Sequence, residues 1–131
     1  MPIRFFVDEN DLALGKLLAQ ERSDVVYPGH PDIPEVVRGT LDDEWLPVIG
    51  EKRLVVITRD RKIHYRPVER QAWVTHRVRG FVLTGQQTQS TVDSKAVLDR
   101  PWLAIEELVD QEPVGPWMQA VSSSWRSSGQ R

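Results

Sequence analysis

The stretch RLVVITRD, residues 53–60, decides how this chain is read. An unbroken apolar run, 54–57, stands between Arg53 and the polar trio Thr58, Arg59 and Asp60. A run so short and so rich in branched side chains is a strand, and its lack of polar alternation means a sheet covered on both faces. Two other segments have the same character: IRFFV at 3–7, which runs straight into Asp8, Glu9 and Asn10, and GFVLTG at 80–85. Weaker strand signals fall at 25–27 and in WMQAV at 117–121, the latter suited to an edge.

Helical patterns separate these strands. DLALGKLLAQER (11–22) sets Leu12, Leu14, Leu17 and Leu18 on one broad apolar face. In TLDDEWLPVIGEK (40–52), Trp45, Leu46 and Ile49 share a side, and acids crowd the N-terminal end, where the helix dipole favours them. Thr40 is the candidate cap there, and Pro47 should lie near the first turn or bend the helix. RPVERQAWVTHRV (66–78) has Pro67 at its start. Residues 90–110 read as helix interrupted near Pro101, with Trp102, Ile105, Leu108 and Val109 inward. The Pro- and Gly-rich passage after Tyr27 reads as loop. The alternation β-α-β-α-β-α-β-α-β predicts an α/β fold, a three-layer α/β/α arrangement around a mostly parallel five-stranded sheet. One domain spanning 1–125 is expected, with a polar tail at 126–131 expected to be disordered.

Composition narrows the classes. The chain has 131 residues, 40% apolar and 27% charged, ordinary for a soluble globular protein. No apolar run nears the ~20 residues of a membrane-spanning helix, and the N-terminus has no signal-peptide pattern, so a cytoplasmic protein is expected. The absence of cysteine excludes disulfides, thiolate zinc sites and a cysteine nucleophile. The formal charge is −2, but it is unevenly placed. Residues 59–79 carry seven Arg or Lys against Asp60 and Glu69, so this segment is +5 and the remainder −7. A concentrated basic stretch in an acidic chain suits a polyanion such as nucleic acid. Its bland counterpart is a solvated helix face.

In a parallel sheet the ligand crevice lies at the carboxyl ends of the strands. Asp8 ends the first strand and Asp60 follows the third, so both emerge at one edge. The helix entering the third strand runs antiparallel to it, which brings the start of that helix, with Asp42, Asp43 and Glu44, to the same edge. Taken singly, each acid has an ordinary reading as a loop or helix-start residue. Together they form a rim of carboxylates that a hard cation, Mg²⁺ or Mn²⁺, would relieve of mutual repulsion. Asp42 lies three and seven residues before Trp45 and Ile49 and so continues the inward face; Asp43 points sideways and Glu44 outward.

The sequence VDEN, then LDDEW, then VVITRD resembles the PIN-like ribonucleases, in particular the small PIN-like toxins (VapC-type) of bacterial toxin–antitoxin systems, over roughly residues 5–85. The resemblance implies a metal-dependent endoribonuclease. Its metal-binding and catalytic acids would be Asp8, Asp42 and Asp60, with Thr58 positioning the site and Asp43 a further candidate ligand. It implies Mg²⁺ or Mn²⁺ as cofactor, RNA as substrate and a cognate antitoxin as partner. Many relatives have another acid two residues beyond the one matched by Asp60; here that position is Lys62, which leaves Glu9, Asn10 or Asp43 to complete any second metal site. From the basic stretch, Arg59, Arg61, Lys62 and Arg66 are candidates for holding the RNA backbone, and His64 and Tyr65 for stacking on an unpaired base.

Trp45, Trp73 and Trp102 read as core; Trp117 and Trp125, if exposed, would suit a partner or a homodimer. His30 and His76 match no zinc spacing. A receiver-like phosphoacceptor domain would share the alternation and use Asp8, Glu9, Asp60 and Thr84, but PVGPWMQAVSSSW (113–125) offers no lysine for the phosphoryl group. A non-catalytic RNA- or partner-binding module is the other alternative, and Lys62 favours it. An aspartyl-phosphate phosphatase is disfavoured because the first strand ends Asp8-Glu9-Asn10, without the second Asp two positions on.

Overall fold

In a computed structural model that describes residues 2–63, 65–85 and 90–126, five strands form one all-parallel sheet. The strands are β1 (Phe5–Val7), β2 (Val25–Val26), β3 (Val55–Thr58), β4 (Arg79–Leu83) and β5 (Trp117–Val121). Their order across the sheet is β2-β1-β3-β4-β5. The helices are α1 (Leu12–Glu21), α2 (Asp42–Lys52), α3 (Pro67–Thr75), α4 (Thr91–Asp99) and α5 (Trp102–Gln111), and a single 3₁₀ turn, Glu9–Asp11, links β1 to α1. WMQAV is an edge strand, as its weak pattern suggests.

The side-chain period of two along each strand sorts the core into two layers. Phe5, Val7, Val55, Ile57, Phe81 and Leu83 face one side, where α1, α4 and α5 supply Leu14, Leu18, Leu98, Trp102 and Ile105. Phe6, Val26 and Val56 face the other, where α2 and α3 supply Trp45, Leu46, Ile49 and Trp73. Ile33 and Val36, from the long 27–41 loop, complete that second layer. β3 is thus buried on both faces, which is why its sequence is a continuous apolar run. Trp45, Trp73 and Trp102 are all core residues.

Local chemistry explains most boundaries. Pro67 is the first residue of α3, where its missing N–H leaves no bond unmade. Ser90 caps α4 by accepting from the Asp93 N–H at 3.0 Å. Pro101 separates α4 from α5. One expectation needs correction and two are narrowed. Thr40 does not cap α2: its hydroxyl donates to the Val37 carbonyl, and Glu44 instead reaches back to the Leu41 N–H at 3.1 Å. Pro47 lies inside α2 past its first turn. Trp125 is not a surface residue; it folds back at 8% exposure and packs edge-on against Phe81. The expected tail, apart from Arg126, lies outside the described residues, as does His64. Among the described residues no helix is long and apolar enough to cross a membrane.

Candidate active site

β1 and β3 are neighbours, with Val7 opposite Ile57, and the chain leaves β1 towards β2 on one side before crossing back to β3 on the other. In a sheet of this order that reversal opens a crevice at the carboxyl ends of the two strands. Asp8 and Asp60 emerge there. The Asp8 N–H binds the Ile57 carbonyl at 3.3 Å, so the residue after β1 is still held to β3.

Thr58, the last residue of β3, is fully buried and joins both acids. Its hydroxyl donates to Oδ2 of Asp8 and accepts from the Asp60 N–H at 2.9 Å. Asp8 itself is only 2% exposed, and its Oδ1 is buried with no hydrogen-bond partner among the described residues. Burial pushes the Asp8 carboxyl up to about 7; the Thr58 bond opposes that rise, and Asp11, Asp42 and Asp60 add to it. A buried carboxyl with one unsatisfied oxygen is costly, and such groups concentrate where ligands bind.

Asp42 opens α2, half-buried, with Oδ1 accepting from the Trp45 indole N–H at 3.0 Å. Its carboxyl is also raised, first by burial, with the indole bond opposing and Asp60 reinforcing. Asp43 and Glu44 are exposed. Asp60 accepts the Lys62 N–H at 3.1 Å on Oδ1 and the Arg66 guanidinium on Oδ2. Asp8, Glu9, Asp42, Asp43, Asp60 and Glu69 all line one cavity of about 410 Å³, with Arg66 set among them. The 27–41 loop forms its outer wall, held by the Gly39 N–H on Glu9 Oε1 at 2.6 Å.

The basic stretch divides. Arg59 turns towards the buried Asp11, giving its N–H to Oδ2 at 2.6 Å and its Nε to Oδ1. Arg66 bridges Asp60 and Glu69. Arg61, Lys62 and Tyr65 are exposed. Two acids that the sequence reading did not place at the site belong to this region: Asp11, which pairs with Arg59, and Glu69 near the start of α3. Glu69 had a usable signal, since α3 leads into β4 and so brings its N-terminus to the same edge as α2.

Among the described residues no three carboxylates or imidazoles stand together in a metal-holding arrangement. Arg66 lies among the acids and pairs with Asp60 and Glu69. The donor chemistry nevertheless fits a hard divalent ion: all-oxygen carboxylates around a cavity, one of them with an orphaned buried oxygen.

The profile of the PIN like domain family matches residues 3–85, which span β1 to the end of β4 and contain every acid of the cavity. The chain belongs to the PIN-like domain family. Members of that family are generally nucleases and usually employ divalent ions. No curated protein and no solved structure matches the chain significantly.

Proposed function

We propose that the protein is a Mg²⁺- or Mn²⁺-dependent endoribonuclease that hydrolyses RNA phosphodiesters. The observation that supports this most is Asp8: buried beside Asp42 and Asp60 at the sheet's crevice, with Oδ1 unsatisfied. Asp8, Asp42 and Asp60 would hold the ion, with Asp43 at the cavity mouth as a further ligand. A bound ion of this kind supplies a water of lowered pKa and charge to offset that developing on the phosphate.

This chain's own groups do the rest. Thr58 keeps the carboxylates of Asp8 and Asp60 on one side of β3. The indole of Trp45 fixes the Asp42 carboxylate. Arg66, paired with Asp60 and Glu69, offsets part of the acids' charge and would be placed to meet the RNA phosphate. Arg61 and Lys62, on the loop after β3, hold the backbone on either side. The direct test is cleavage of a mixed single-stranded RNA with Mg²⁺, Mn²⁺ or EDTA, by wild type, Asp8→Asn and Asp60→Asn. Metal-dependent cutting lost in both variants supports the assignment; metal-independent cutting, or cutting that survives in both, rejects it.

The toxin role, with a cognate antitoxin partner and action in the cytoplasm, rests on the motif resemblance. Growth arrest on expression of wild type but not Asp8→Asn, relieved by one co-expressed neighbouring protein, would support it. A non-catalytic RNA-binding module is the second reading, and the Arg66–Asp60 bridge favours it, because an arginine already pairs with one of the three proposed ligands. It predicts RNA binding with no cleavage under any metal condition.

A further inference from the structure

Helices pack 8–10 Å apart and strands 4.7–4.9 Å, so one helix covers about two strands. Among the described residues three helices cover one face of this five-stranded sheet, but only α2 and α3 lie on the other. No described helix covers the β5 end of that second face. There the floor formed by Val82 and Thr84, beside β5 residues Met118 and Ala120, opens into a groove of about 720 Å³. The wall on the α3 side is Trp73 and Val74. Trp73 can lie this low because Gly80 has no side chain: a Cβ at Gly80 would sit 2.6 Å from the Trp73 ring.

The rims of the groove carry Arg61, Tyr65 and Arg70. Other arginines of this edge are engaged with carboxylates: Arg59 with Asp11, Arg66 with Asp60, Arg38 with Glu9. Arg61 and Arg70, by contrast, are paired with no carboxylate among the described residues, and Tyr65 is 72% exposed. An apolar floor between uncompensated arginines complements a ligand with a flat apolar body and anionic links. The volume is that of a small-molecule site, whereas a stable protein partner covers ~800 Å² per side. The loop 59–66 also feeds both places, since Asp60 and Arg66 line the acid cavity and Arg61 and Tyr65 line the groove.

We infer that this groove is a nucleobase subsite: it takes an unpaired base of single-stranded RNA, stacked on Tyr65, with Arg61 and Arg70 on the flanking phosphates. The inference rests on RNA being the substrate of the acid cavity and adds to it a fixed anchoring point beside the cut. Stacking of one base is worth ~1–3 kcal/mol, so filling the groove should weaken binding by about 5- to 150-fold.

The experiment measures binding of a fluorescein-labelled, eight-nucleotide mixed-sequence RNA in EDTA, so that no cleavage intervenes, beside an oligonucleotide of the same length made of abasic residues. Ala120→Phe fills the groove from an exposed strand position, and Arg70→Glu reverses a rim charge on an exposed helix position. Circular dichroism and sedimentation velocity accompany each. The expected result is loss of RNA affinity in both folded variants, with Ala120→Phe leaving the abasic probe unaffected. RNA affinity within twofold of wild type in both variants overturns the inference. So does Ala120→Phe dissociating a wild-type dimer with no change in RNA affinity, which would make the groove a contact between copies. Parallel Mn²⁺ cleavage assays keep the two claims apart: groove-dependent binding by a wild type that cuts nothing supports the subsite while ending the nuclease reading.

Discussion

The Thr58 hydroxyl at the end of β3 hydrogen-bonds the Asp8 carboxylate at the end of β1, across 50 positions of sequence. It also receives the Asp60 N–H, so one small side chain registers two acids from different strands. Replacing it with an isostere lacking the hydroxyl should leave Asp8 with two unsatisfied oxygens. Thr58→Val is expected to lower cleavage by tenfold or more and to move its pH dependence upward, because the bond that opposes the Asp8 shift is gone. Thr58→Ser should retain most activity. Steady-state cleavage across pH 6–9 with all three proteins checks this.

Asp8 should also weaken the fold it serves. Its carboxyl titrates at about 7 in the folded protein, against an ordinary value of 3.8. Between those values the folded chain keeps a proton that the unfolded chain releases, so stability falls as pH rises from about 4 to about 7, and then levels. Asp8→Asn removes that penalty while keeping an acceptor for Thr58. Urea unfolding in EDTA should show Asp8→Asn more stable than wild type by ~2–4 kcal/mol at pH 8 and nearly equal at pH 4. No gain at pH 8 would mean that Asp8 ionises freely.

Metal binding should run against the same proton. A carboxylate that must ionise to bind a cation loses affinity about tenfold per pH unit below its own titration. Mn²⁺ binding measured by calorimetry in buffers of different ionisation enthalpy should release close to one proton at pH 6 and almost none at pH 8.5. Proton release that does not depend on pH would remove Asp8 from the ligand set.

Arg66 and an incoming cation compete for Asp60. Arg66→Gln should therefore tighten Mn²⁺ binding by roughly tenfold, since a partly buried guanidinium no longer has to be displaced. The metal-free variant should be less stable than wild type, and saturating Mn²⁺ should restore more stability to it than to wild type. Thermal unfolding with and without Mn²⁺ reads both effects. Unchanged Mn²⁺ affinity would separate Arg66 from the ion site and leave it to the RNA phosphate.

The parts of this molecule that could be read from sequence are those fixed by backbone periodicity. β3 was legible because a strand covered on both faces has nowhere to put a polar side chain. Asp8 and Asp60 could be placed at one edge because parallel strands bring all their carboxyl ends to the same side. The choice of Asp42 over Asp43 and Glu44 followed from helical angle, and the structure puts Asp42 half-buried against Trp45 with the other two exposed. What sequence did not reveal depends on side-chain torsions within loops. Nothing in RDRKIHYR (59–66) says that Arg59 turns towards Asp11 and Arg66 towards Asp60, leaving Arg61 on the groove. Trp125 followed the same pattern: a polar, serine-rich setting concealed a ring packed on Phe81.

The pairing of β1 directly with β3 also sets when this cavity can exist. Asp8 precedes Thr58, the last residue of its partner strand, by 50 positions, and the intervening loop must close before any contact across it is gained. Until β3 is in place, the Asp8 carboxyl has neither the Thr58 hydroxyl nor the surrounding acids beside it. The acids converge only when β3 docks, in the same cooperative step that buries Phe5, Val7 and Ile57. The cavity is therefore a property of the closed sheet and of neither strand alone.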